Sequence, residues 1–460
     1  MRTTHLRRAA WPAIAGVTSL LLAGCADIGD EQSGSTSGGA VSGFPAELVD
    51  AASERASGIV DGERIGGTVT LIGTWGGAER DRFLATLEPF EEATGISVEF
   101  TGTEDYESLI QSGIDSGNPI DIAASANLGL IEHYAETGDL VDLNDLIGAE
   151  NLADNYSDTF LESTTVDGSN YGIWSMVDNY MLWYNPETYE GPRGADVTWD
   201  EISSWAEDSA AAGTTPWCMG LSAGANTGWP ASYFVLNLLL KQAGPDFTSA
   251  LGAGEASWDS PEVRAAFDAF SDVVAGPETV NGGPDGAIST DPGAAGAGMY
   301  TDPPQCELMH WGTFTSSIVL GNDPSLEPGT DLDFLPMPAI TPEYADAQGY
   351  GGTIFSAFSD RPEVAALMTY LGSAEHADLI AATGNWTAAN VGVDPASYPN
   401  ELLADIATEI LGADTLVPFP TAVTAPAVRS AIYTTTAEFV RDPSSLDANL
   451  RELDALAAGG

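Results

Sequence analysis

Apolar positions along the chain change period in a regular order. Thr68 to Ile72 form a β-branched run that ends in glycine, which predicts a strand and a tight turn. Phe83, Leu84, Leu87 and Phe90 then keep helical spacing up to Gly95, a residue suited to ending a helix. The pattern repeats with a strand at 96–102, a helix at 106–117 and a strand at 118–125. Strand, helix, strand, helix, strand with short links predicts a parallel α/β sheet.

Further along, a weak lead-in helix is expected over 45–65, and a helix over 128–147 with a glycine stop and a short extended piece. Residues 171–189 alternate through Ile173, Met176, Tyr180, Leu182 and Tyr184 and end in the turn Asn185-Pro186. Thr198 and Glu201 have the spacing of a capping box. Segments 233–244, 260–274, 361–384 and 426–457 read as helices, and 331–340 and 349–358 as strands.

The 460 residues contain 68 acidic side chains, 14 Lys+Arg and only 4 His, for a formal charge of −54. Lys241 is the one lysine. Such a chain is repelled by nucleic-acid phosphates and by anionic lipid, so no nucleic-acid partner is expected. The acids run along the whole sequence, which fits either an ordinary solvated surface or one adapted to high salt. Hydrophobic residues make up 43% of the chain, enough for a sizeable core.

The leader begins with Arg2, Arg7 and Arg8, and a short apolar stretch from Ala9 to Leu22 follows. That stretch is brief for a membrane span, and it closes on small residues as a cleaved signal does. Leu22-Ala23-Gly24-Cys25 resembles a bacterial lipobox. It implies a signal peptide over 1–24, lipid on Cys25, and a flexible Gly/Ser tether over 25–43. The expected location is the outer face of the cell membrane, held by lipid alone. Disulfides persist there. Cys218 and Cys306 would either pair or remain as two thiols. His133, His310 and His376 show no zinc spacing, and neither a metal nor a cofactor is expected.

Several segments carry a family likeness: GTVTLIGTW, FEEATGISVEF, PIDIAAS, LVDLNDL, LWYNPETY, TPWCMGLSAGANTGWP, DPPQCELMH, GYGGTIFSAF and GNWTAAN, in that order. With them the chain resembles the extracellular solute-binding proteins of ABC sugar importers. The two cysteine segments are most like the alpha-glucoside-binding branch. The resemblance implies a two-lobed α/β fold of the periplasmic-binding-protein type II, with the ligand in the interlobe cleft. Lobe 1 is expected at 44–178 plus 340–400, and lobe 2 at 179–339 plus 401–460. The resemblance also implies a Cys218–Cys306 disulfide, a monomer, and partnership with the transmembrane permease subunits of the importer.

A sugar ring offers an apolar C–H face and a rim of hydroxyls. Aromatic platforms and a few fixed carboxylates or amides match it. Trp75 with Gly76 after the first strand, Trp229, Trp311 and Trp386 are the expected platforms, although a tryptophan more often fills a core. Asp105, Asn127, Asp178 and Asn226 are the expected rim groups, with Asn179 and Glu104 beside them. Tyr350 is expected to reach the cleft from the returning strand. Gly224 and Gly228 would let backbone approach the ligand. Where related sequences place Arg after the histidine of the second cysteine segment, this chain has Trp311, exchanging a cation for a stacking surface.

Other readings weigh less. A glycan-active enzyme needs two opposed carboxylates, but among 68 acids any pair could be nominated. The same fold could hold a polyamine or a phosphorylated sugar, and the latter would want clustered cations that the chain lacks. A glycan adhesin outside transport is the remaining alternative.

Overall fold

The computed structural model describes residues 43–103, 105–194 and 196–459. The leader, Cys25, most of the tether and Glu104 lie outside the described residues.

Twelve strands are described: β1 Thr68–Gly73, β2 Ser97–Gly102, β3 Ile122–Ser125, β4 Thr165–Val166, β5 Ser169–Asn170, β6 Ile173–Asp178, β7 Tyr180–Tyr184, β8 Leu308–Gly312, β9 Asp333–Leu335, β10 Ala347–Ala357, β11 Thr387–Ala388 and β12 Thr415–Pro418. The larger sheet runs β11-β6-β10-β3-β1-β2, with β12 on β10. β1 pairs in parallel with both β2 and β3, as the alternating pattern predicts. The intervening helices Gly77–Thr94 and Tyr106–Asp115 make the crossovers. β10 and β6 return antiparallel. A smaller antiparallel sheet runs β8-β7-β9. Every residue of β7 and β8 is buried. The apolar helix Trp229–Ala243 packs on both strands and on the helices Pro261–Val273 and Pro426–Arg441.

The first passage of the chain between the sheets is very short. β6 ends at Asp178 in the larger sheet and β7 starts at Tyr180 in the smaller one, with Asn179 alone between them. Asn179 Nδ2 donates to Gln348 Oε1 at 2.9 Å, and Gln348 Nε2 donates to Glu409 Oε1 at 3.0 Å. One amide chain therefore ties the first crossing to β10 and to the helix Glu401–Leu411. Lys241 is fully buried beside it. Its Nζ donates to the Ala345 carbonyl at 2.6 Å, and its own carbonyl accepts from the amide of Thr341 at 2.9 Å. Burial pushes the ammonium down to about 8, against the pull of Glu409 and Asp346.

Several expected boundaries shift for local reasons. The third strand keeps only Ile122–Ser125, because Pro119 removes a ladder donor. The expected strand 331–340 shrinks to Asp333–Leu335, cut off by Pro336 and Pro338. The extended piece near 144 is instead a π-helical turn, Asn144–Gly148. The helix 361–384 breaks at Gly372, and Ser373 caps the next turn through the amide of His376. The helix 426–457 breaks at Asp442-Pro443. Glu401–Leu411, expected with the smaller sheet, packs beside β11 of the larger one. The capping box at Thr198 and Glu201 is present in full.

Cys218 and Cys306 form a disulfide with Cα atoms 5.2 Å apart. The Cys218 amide also donates to the Leu308 carbonyl at 2.7 Å, so the bridge clamps the entry of β8 to the 217–219 segment. It closes a loop over a separation of 88 residues, for which chain entropy predicts about 4–5 kcal/mol. Replacing both cysteines by alanine is expected to lower the unfolding free energy by about 2–5 kcal/mol in urea titration. An unchanged midpoint would show that the loop is held without the bridge.

Candidate binding site

The smaller sheet and its helices carry a continuous aromatic wall. Tyr180 opens β7 and stacks on Tyr233 with centroids 4.0 Å apart and planes 6° apart. Tyr233 lies one turn beyond Trp229 on the helix Trp229–Ala243, so the two share a face. Trp229 approaches Trp311 at 6.2 Å, and Trp311 meets Phe314 edge-on at 5.0 Å. Trp229 is half-buried, while Trp311 is 4% exposed. The Trp311 indole N–H is buried and has no hydrogen-bond partner. A buried donor left unpaired costs about 1–3 kcal/mol, so it is a place where an incoming acceptor gains.

Behind the wall, His310 lies flat on Phe234 at 4.1 Å, and its Nε2 meets Asn237 Nδ2 at 3.1 Å. Burial pushes the imidazole down to about 3, so the ring stays neutral and acts as packing.

Asp178 faces this wall from the end of β6. Its Oδ1 accepts from Thr313 Oγ1 at 3.0 Å, and Thr313 lies two residues past Trp311. Desolvation, with a smaller contribution from the charge of Glu79, pushes the carboxyl up to about 6. Above that pH a carboxylate sits poorly hydrated, ready to accept hydroxyl hydrogens.

A second contact joins the two sides. Arg429 Nη2, on the helix Pro426–Arg441, donates to Glu107 Oε1 at 3.1 Å, on the helix that follows β2. Glu107 also accepts from Tyr106 Oη at 3.2 Å. Tyr433 lies one turn beyond Arg429 and interacts with Tyr233. Burial is the main cause of the high hydroxyl pKa values at Tyr106, pushed up to about 12, and at Tyr180, Tyr233 and Tyr433. These tyrosines remain neutral hydroxyl donors.

The expected residues divide. Trp229, Trp311 and Asp178 come together. Trp75 and Trp386 also meet, at 5.6 Å, but as part of a core with Phe83, Phe100 and Phe355. They are 6% and 7% exposed, no more buried than Trp311, and they adjoin β1 and β11 of the larger sheet. Tyr350 does not reach the cleft: it is fully buried and packs edge-on against Trp174 and Phe160 at 5.2 and 5.4 Å. Asn179 is used by the hinge. Asn127 is 1% exposed and caps the helix Leu128–Thr137 by accepting from the Leu130 amide. Gly228 adopts φ +101 and lies where a Cβ would come within 2.2 Å of the Tyr433 carbonyl, so its bareness serves helix packing. Gly76 and Asp105 are exposed at the starts of the helices after β1 and β2, and Asn226 is exposed on the turn Gly224–Asn226.

Sequence reasoning missed Tyr233, Phe314, Glu107, Arg429 and Tyr433. The helical offsets Trp229/Tyr233 and Arg429/Tyr433 were the available signal. A cavity of about 790 Å³ lies against Pro336–Ile340, Thr408, Glu409 and Asp414. It holds none of this wall, and the wall is the better guide to chemistry.

A carboxyl raised from 3.8 to about 6 withholds stability once it ionises. That loss begins above about pH 4 and is complete above about pH 6. Asp178→Asn is therefore expected to raise the thermal midpoint at pH 7.5, with no gain at pH 4. A lower midpoint at pH 7.5 would make the carboxylate a structural support.

The profile of the bacterial extracellular solute-binding proteins matches residues 77–378. The osmoprotective compounds-binding protein of Synechocystis sp. is 30% identical, over 75% of this chain and 81% of its own. The alpha-glucosides-binding periplasmic protein of Rhizobium meliloti is 29% identical, over 66% and 68%. Among solved structures, the bacterial solute receptor AcbH superposes with a TM-score of 0.71 at 20% identity, covering 85% of this chain and 99% of its own. A chitin oligosaccharide binding protein gives 0.71 at 19%, covering 85% and 98%. The two sheets, the short passage between them and these matches agree: the chain belongs to the bacterial extracellular solute-binding protein family.

Proposed function

We propose that the protein captures a carbohydrate between its lobes, an oligosaccharide of the alpha-glucoside type, and delivers it to the permease of an ABC importer. It works without turnover, tethered through a lipidated Cys25. The observation that carries this reading is the Trp229–Trp311–Phe314 wall set opposite Asp178, with an unpaired indole N–H inside it. Aromatic ring faces accept the C–H face of a pyranose, while Asp178, the tyrosine hydroxyls and Arg429 suit its hydroxyl rim.

The relatives support the same class, since one is named for alpha-glucosides and another for osmoprotective compounds. The acidic chain is compatible with a salt-stressed habitat in which neutral solutes of this kind are taken up. A phosphorylated cargo fits poorly, because Arg429 is already paired with Glu107 and the one lysine is buried at the hinge.

Thermal unfolding of the protein against maltose, trehalose, sucrose, beta-linked disaccharides, spermidine and glycerol phosphate tests the class, since a ligand of the folded state raises the midpoint. A rise with one glycoside, with no product formed, is expected. Trp229→Ala is expected to weaken that glycoside roughly tenfold or more, about 1.4 kcal/mol per decade. Trp311→Phe, which keeps the packing and removes the N–H, should cost roughly threefold to tenfold. A rise with spermidine alone would replace the sugar reading by a polycation.

A further inference from the structure

A cavity of about 430 Å³ lies where the helix Leu128–Thr137, after β3, faces the end of the helix Pro245–Gly252 and the start of Pro426–Arg441. Its walls thus come from the elements of both sheets. The volume falls in the range of roughly 300–1,000 Å³ typical of small-molecule sites. Leu130, Leu251 and Val423 give it apolar sides, and Asn127, His133 and Thr424 give it polar groups. Thr424 is 7% exposed, and its buried hydroxyl has no hydrogen-bond partner. No Lys or Arg is among the lining residues, and Glu132 at the rim is exposed. An anion is therefore disfavoured, while a neutral group with several hydroxyls finds both apolar contact and hydrogen-bonding partners.

The cavity adjoins the aromatic site. Asn127 lines it and donates through Nδ2 to Glu107 Oε1 at 3.4 Å. Val428 lines it and is followed by Arg429, the partner of Glu107. On its other side Arg429 interacts with Tyr433, which in turn interacts with Tyr233 of the wall. The Glu107–Arg429 pair thus lies between the lining of the cavity and the tyrosines of the wall. Both side chains keep about a quarter of their surface exposed, at 24% and 23%.

We infer that this cavity is an extension subsite for the same ligand, one that receives a further glycosyl or polyol unit once the first is on the tryptophan wall. The inference rests on the carbohydrate reading above. A ligand long enough to reach from the wall into the cavity would part Glu107 from Arg429, and its hydroxyls would re-pair both charged groups.

Calorimetric titration of the full protein with a disaccharide and its tri- and tetrasaccharide homologues tests it. Ala253→Trp fills the cavity from an exposed position, and Thr424→Val removes only the unpaired hydroxyl. The parent is expected to bind the longer homologues more tightly than the disaccharide. Ala253→Trp should weaken the longer ones tenfold or more, and Thr424→Val threefold or more. Both should leave the disaccharide within twofold and the thermal midpoint nearly unchanged. Equal effects at every length, no effect at any length, or a parent with no preference for length would overturn the subsite while leaving the sugar reading intact. No binding of any sugar by the parent would remove both.

Discussion

Asn179 is the sole residue between a strand of the larger sheet and a strand of the smaller one. Everything about the site depends on that junction. Because β6 passes into β7 with no loop, Asp178 and Tyr180 are placed on either side of it by backbone rather than by flexible chain. The Asn179–Gln348–Glu409 chain then ties the junction to β10 and to the helix Glu401–Leu411. Buried amide and carboxylate groups of this kind need their partners, since an unpaired one costs more than the bond itself contributes.

The wall is itself a product of packing. The disulfide at Cys218 and Cys306 holds the entry of β8, three of whose buried residues, His310, Trp311 and Gly312, lead to Thr313 and Phe314. His310 is kept neutral by burial and lies against Phe234, so the strand is supported from behind. The carboxyl that faces the wall pays for its position in stability: burial raises its pKa, and nothing cationic lies beside it among the causes of that shift.

Much of the fold was legible in the sequence. The strand–helix alternation from β1 to β3 and the Thr198–Glu201 capping box rest on local periodicity and local chemistry. What failed was what tertiary contacts decide. Pro336 and Pro338 trimmed a strand that hydrophobicity alone would extend. Glu401–Leu411 went with the larger sheet because its apolar face fits β11, which no sequence period announces. In the candidate site, Trp229, Trp311 and Asp178 were proposed from motif position, and the structure places them near one another. Tyr350 was misplaced because neighbouring strand residues point to opposite faces, and a one-residue error exchanges cleft for core. Glu107 and Arg429 were missed because their pairing spans 322 residues of sequence.

The most direct measurement is a crystal structure of the protein grown with a bound alpha-linked disaccharide. The account predicts a pyranose ring against Trp229 or Trp311, with a hydroxyl on Asp178 and an acceptor at the Trp311 indole N–H. Sugar bound elsewhere, as in the groove against Pro336–Ile340, with the tryptophan wall left empty, would contradict it.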